Sequence, residues 1–122
     1  MSGKIESYRD LVVWQQGVDL AVAIYKLSHK WPKDELYGLT SQVRRAATAV
    51  PANIAEGYGR ESTGAYQQFL RIAQGSLKEL ETHLLIANRI ELASTEAVTP
   101  LLEKADGIGK MLRQLIRKLS SE

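Results

Sequence analysis

The sequence contains no cysteine. That removes a disulfide framework, a thiolate zinc site and a thiol nucleophile together, and it allows a reducing compartment. No uninterrupted apolar run approaches the roughly 20 residues that a membrane span needs. The first ten residues, MSGKIESYRD, lack the apolar core of a signal peptide. The expectation is a soluble, cytoplasmic protein that does not enter a membrane. An excess of one charge is missing too: 16 basic residues face 14 acidic ones, for a net charge of +2. So small a surplus does not by itself argue for nucleic acid, although an oligomer would multiply it, so the placement of charge matters more than its total. Strand signals are also absent, because no sustained apolar–polar alternation is flanked by turns.

What is present is helical periodicity. The chain is 44% hydrophobic and 25% charged, ordinary for a globular protein, and 122 residues are enough for a single domain over residues 1–122 with its own core. A 3/4 spacing of apolar residues recurs four times. The first helix starts near Ser7 to Asp10, either of which can cap it, and ends before Pro32. It carries two stripes: Leu11, Trp14, Val18, Ala21 and Tyr25, and Val13, Gly17, Leu20, Ile24, Leu27 and Trp31. A helix so patterned is covered on more than one side. The second helix follows the connection Pro32 to Asp34, turns Leu36, Leu39, Val43, Ala46, Val50 and Ile54 inward, and is expected to stop at Gly57 and Gly59, since glycine accepts the left-handed C-terminal conformation. The third opens at the cap Ser62 and repeats Tyr66, Leu70, Ala73, Leu77, Leu80, Leu84 and Ala87. The fourth takes Ser94 or Thr99 as cap, tolerates Pro100 in its first turn, and repeats Leu101, Ala105, Ile108, Leu112, Leu115 and Leu119. Short links between amphipathic helices favour antiparallel neighbours. The fold class is therefore all-α, an up-down-up-down four-helix bundle.

The segment SQVRRAATAVPANIAEGYGR, residues 41–60, carries more than a core stripe. Gln42, Arg45, Ala49, Asn53, Glu56 and Arg60 form a second stripe about a quarter turn away at about 100° per residue. Alanines at 46, 47, 49 and 52 would let another backbone approach, so this flank is expected to pack against something; the competing interpretation is a solvated edge. Pro51 removes one N–H donor and crowds the carbonyl of Ala47. It is expected to bend the helix around the core or to shape a site, an architectural role in either case.

SQVRRA, PANIAEGYGR and the later FLRIAQGSLKELETHL together resemble the four-helix-bundle family encoded by intervening sequences in bacterial 23S rRNA genes. The likeness runs from YRDLVVWQ through the heptads of the fourth helix. It implies an up-down bundle that assembles as a ring-like homopentamer. It also implies a relationship to the accessory bundle proteins of diversity-generating retroelements, which bind nucleic acid and a reverse transcriptase. The motif positions it marks are Gln42, Arg44, Arg45, Pro51, Asn53, Glu56, Gly57 and Arg60, with Gly75, Ser76, Glu79 and Glu81.

Catalytic constellations are not apparent: no nucleophile–base pair, carboxylate pair or metal set stands out, so the chain is expected not to be an enzyme and to need no cofactor. The two histidines are His29 and His83, and His83 follows Glu79 at i, i+4. Two ligands fall short of the three or more of a zinc site, so a hydrogen-bonded pair is expected there. GYGRESTG lacks the Lys-Ser/Thr and the preceding strand of a phosphate loop and reads as a helix stop and turn. Arg44, Arg45, Arg60 and Arg71 fall close together in the motif region, and Lys110, Arg113, Arg117 and Lys118 form an acid-free end to the fourth helix. Phosphates favour such groups. Helix-dipole complementation and subunit joining use the same residues. Two functions follow: an oligomer that binds RNA or DNA through basic residues, or a protein–protein adaptor, for example an accessory subunit of a nucleic-acid enzyme; Gln42, Arg44, Arg45, Asn53, Glu56, Arg60 and Arg71 are the candidates for nucleic-acid binding or for a subunit interface.

Overall fold

The computed structural model describes residues 4–121; residues 1–3 and 122 of the expected domain lie outside the described residues. The apolar stripes build four helices: α1 (Val12–Ser28), α2 (Leu39–Tyr58), α3 (Thr63–Arg89) and α4 (Thr95–Ser120). Two 3-10 turns, Tyr8–Asp10 and Lys33–Glu35, complete the regular structure. No strand occurs among the described residues. Each helix packs on its two neighbours, α1 on α2 and α4, α3 on α2 and α4, while the diagonal pairs α1/α3 and α2/α4 do not approach within 8 Å between Cα atoms. That is the square cross-section of an up-down-up-down four-helix bundle.

One continuous core fills the centre. The second α1 stripe supplies Val13, Leu20 and Ile24, α2 supplies Val43, Ala46, Ala47, Val50 and Ile54, α3 supplies Leu70 to Ala87 at its predicted spacing, and α4 supplies Val98, Ala105, Ile108 and Leu112. Leu11, Trp14, Tyr66, Leu101, Leu115 and Leu119 are partly buried against it. The caps Ser62 and Ser94 accept from the backbone N–H of Ala65 and Ala97, both at 3.1 Å, satisfying donors that a helix start leaves orphaned.

Four boundaries differ from expectation, each for a local reason. Ser7 and Asp10 do form a capping box, but it closes the 3-10 turn; Leu11 then goes extended and α1 begins only at Val12. Leu36 is not a core residue and is 46% exposed, because the turn at Lys33–Glu35 delays α2 to Leu39, where Glu35 Oε1 accepts from the Leu39 N–H at 3.2 Å. Gly57 does not end α2. It lies inside the helix, and Gly59 at the cap is right-handed, with φ of −79°. The positive φ among the described non-glycine residues belongs to Glu91, at 66°, in the α3–α4 link. Pro100 sits in the second turn of α4, since Ser94 starts that helix. The donor it lacks would serve the carbonyl of Glu96, and both residues are exposed, so that carbonyl is not left without a partner in a dry interior.

Pro51 lies within an unbroken α2 and is buried. A Cβ on Gly17 would sit 3.4 Å from the Pro51 Cβ, in van der Waals contact with the ring, so α1 and α2 lie close together here. At the other end of α2, Tyr58 and Tyr66 meet edge to face with centroids 6.1 Å apart. Burial raises the Tyr66 phenol above its ordinary 10.0, and Tyr58 raises it further. A raised folded-state value means that the fold prefers the neutral phenol. That stability is whole below about pH 10 and is lost as pH rises through the folded value. Wild type is expected to lose stability above pH 10 more steeply than Tyr66→Phe, and absorbance at about 295 nm to show one tyrosine ionising late.

Candidate nucleic-acid interface

The motif segment folds with its polar residues committed to different tasks. Arg44 is half-buried and ties α2 to α1: its Nε donates to Ser28 Oγ at 2.9 Å, and its Cζ lies 4.7 Å from the centroid of Tyr25. The Ser28 hydroxyl in turn donates to the Ile24 carbonyl at 2.8 Å. Cation–π contact and hydrogen bond together orient the guanidinium through Nε, and its Nη groups make no hydrogen bond among the described residues. Asn53 folds back on its own helix, Nδ2 donating to the Ala49 carbonyl at 2.8 Å. Glu56 and Arg60 pair at 2.6 Å, half exposed, and the Arg60 guanidinium lies 4.8 Å above the ring of Phe69 on α3. Such an exposed pair stabilises by at most about 1 kcal/mol, so its role is to hold Arg60 against α3.

Gln42, Arg45 and Arg71 are exposed, and neither arginine has an ion-pair partner among the described residues. The four central arginines do not form one patch. Arg44 lies in the second turn of α2 and Arg60 beyond its end, roughly 20 Å or more apart along the axis at about 1.5 Å per residue; Arg71 stands in the third turn of α3. The alanine flank is divided as well, since Ala46 and Ala47 are core while Ala52 faces outward. At the end of α4, Lys110 pairs with Asp106 at 3.3 Å, whereas Arg113 and Arg117 have no such partner among the described residues.

The structure brings Arg44 and Arg45 together with Tyr25 of the first α1 stripe and with residues that periodicity did not single out. Tyr25, Tyr37, Thr40, Ser41 and Thr48 line with them a hollow of about 420 Å³ where the α1–α2 connection meets α2. Tyr37 follows the 3-10 turn and is 93% exposed. Thr40 is 4% exposed, and its Oγ1 has no hydrogen-bond partner. An aromatic beside a glycine in the connection LYG was the one available sequence signal. His83 and Glu79 approach at 3.4 Å, with the His83 Nδ1 buried and unpartnered; no group of three or more potential metal ligands occurs among the described residues. No described helix is long and apolar enough to cross a membrane.

No curated protein matches the chain. Among solved structures, it is similar to a crystal structure of a protein of unknown function from the S23 ribosomal protein family of Bacteroides thetaiotaomicron VPI-5482, at 26% identity and a TM-score of 0.78, over 86% of this chain and 98% of that one. The family model described as 23S rRNA-intervening sequence protein matches residues 9–114, which span all of α1, α2 and α3 and most of α4. The four-helix bundle, its motif segment and that match agree, and the chain belongs to the 23S rRNA-intervening sequence protein family.

Proposed function

We propose that the protein is a non-enzymatic subunit of a homo-oligomer, a ring-like pentamer by resemblance, that binds RNA or DNA through basic residues. The observation that carries the binding is a set of arginines, Arg45, Arg71, Arg113 and Arg117, which have no carboxylate partner among the described residues. Unpaired guanidinium groups are the ones available to displace counterions from a phosphate backbone.

Assembly is supported by two apolar faces on diagonal helices. On α1, Val18, Val22 and Tyr25 border an open groove closed by Pro51 and Thr48 of α2, with little polar surface. On α3, Leu85 and Ile86 are 50% and 44% exposed, with Ile90 beyond them at 55%. Two different patches on opposite corners suit a head-to-tail contact, which closes into a ring when the rotation permits. The same faces favour the second function, a protein–protein adaptor, if the groove receives a different chain.

Light scattering at micromolar concentration is expected to give a multiple of the chain mass, and Val22→Glu to lower it while helical content stays high. The assembled protein is expected to retain labelled RNA or DNA at low salt. With roughly five phosphates engaged on a single strand, affinity falls about a hundredfold between roughly 50 and 200 mM salt. Absence of retention at low salt by an intact oligomer would leave the adaptor.

A further inference from the structure

Resting on the nucleic-acid function above, we infer that the corner formed by the α1–α2 connection and the first turns of α2 is a pocket for one unpaired nucleotide of a single strand. The base stacks on Tyr37, and the phosphate is held by Arg44, Arg45 and the Thr40 hydroxyl.

Four observations converge on this chemistry. Tyr37 is 93% exposed, and no aromatic ring or cation stacks on it among the described residues. A tyrosine in the core or at a helix seam would bury its ring, and an open ring face is what an unpaired base uses for stacking without regard to sequence. Arg44 is oriented through Nε by Ser28 and by the Tyr25 ring, so little side-chain freedom is lost when its Nη groups meet a phosphate. Thr40 is the unusual element. The residue lines both this hollow and a second one beside it, which reaches His29 and Lys33, and its hydroxyl is buried without a partner. A buried hydroxyl left unsatisfied is costly, and a ligand oxygen would satisfy it. Finally, no carboxylate lines either hollow, and the nearby Glu35 accepts from the Leu39 N–H. The volume of about 420 Å³ lies in the range of small-ligand sites.

Stacking on Tyr37 requires an exposed base face, which a duplex offers only at its ends. The pocket therefore selects single strands over duplexes, and its ring-plus-cation chemistry does not read base identity.

The test is fluorescence anisotropy of the full chain with end-labelled oligouridine RNA, oligothymidine DNA and an RNA duplex of equal length, at low salt. Wild type is expected to bind the single strands more tightly than the duplex. Tyr37→Ala is expected to weaken single-strand binding about tenfold, with Tyr37→Phe within about twofold of wild type. Thr40→Val removes only the unpartnered hydroxyl, so thermal stability is expected to hold or rise while affinity drops severalfold. A purely structural threonine would not behave that way. If wild type binds but Tyr37→Ala and Thr40→Val bind equally well, or if the duplex binds as tightly as the single strands, the pocket is refuted while nucleic-acid binding stands. If either substitution changes the oligomer mass, the corner belongs to assembly and the inference is overturned. If wild type binds none of the three probes, the pocket and the nucleic-acid function fall together.

Discussion

Leu84→Ala is expected to lower the free energy of unfolding by about 3 kcal/mol or more, whereas Leu85→Ala costs less than about 1 kcal/mol. The two residues are neighbours in sequence and identical in chemistry. Leu84 is fully buried on the inner face of α3, and Leu85 is 50% exposed on its flank. Truncating Leu84 removes transferred apolar surface and leaves a cavity at a position packed between α2 and α4, where the surrounding helices relax only in part. Such a loss is a large share of the roughly 5–15 kcal/mol that holds a domain folded. Urea unfolding of both variants, followed by circular dichroism, measures the difference. Equal losses would mean that the outer face of α3 is as well covered in solution as the inner one, which only a neighbouring subunit could provide.

Gly57→Ala is the second large effect, and its sign runs against helix propensity. Inside a helix, alanine is favoured over glycine by about 1 kcal/mol. At position 57 the added Cβ would stand 2.8 Å from the Cβ of Phe69 and 3.1 Å from the Tyr66 carbonyl oxygen. Those atoms are fixed to the α3 backbone and cannot swing aside, so α2 and α3 must separate where they pack most closely. Overpacking of that kind costs about 1–3 kcal/mol, and after the propensity gain the net expectation is a loss of up to about 2 kcal/mol. Gly75→Ala is the control: nothing lies within 4 Å of its added Cβ, so the propensity term acts alone and stability rises by about 0.5–1 kcal/mol. Because Phe69 also carries the Arg60 guanidinium at 4.8 Å, Gly57→Ala is expected to loosen that arginine. Stabilisation by Gly57→Ala equal to that by Gly75→Ala would contradict the close α2–α3 contact.

The sequence was most legible where one element could be read alone. The α3 repeat of Leu70, Ala73, Leu77, Leu80, Leu84 and Ala87 is buried throughout, and the serine caps of α3 and α4 bond as their positions suggest. It was least legible where a residue has two local roles open to it. Glycine at 57 suggests a helix stop, and only the proximity of Phe69 shows that it is there for contact. Leu36 continues the apolar spacing of α2, but the preceding 3-10 turn takes it out of the helix.

The candidate interface shows the same division. Arg44, Arg45, Arg60 and Arg71 are all visible as basic residues in or near one motif, yet one ties two helices, one pairs across a helix end, and two are exposed without ion-pair partners. Periodicity of about 3.6 residues determines which face of a helix turns inward, because that is settled within a few consecutive turns. On that basis the sequence alone determined the four helices, their inner faces and the family resemblance. Which side chains meet across helices depends on the crossing and offset of neighbours, which no local repeat encodes. Only the tertiary structure could therefore set Arg44 on Ser28, press Gly57 against Phe69, and leave the Thr40 hydroxyl unpartnered beside an open Tyr37.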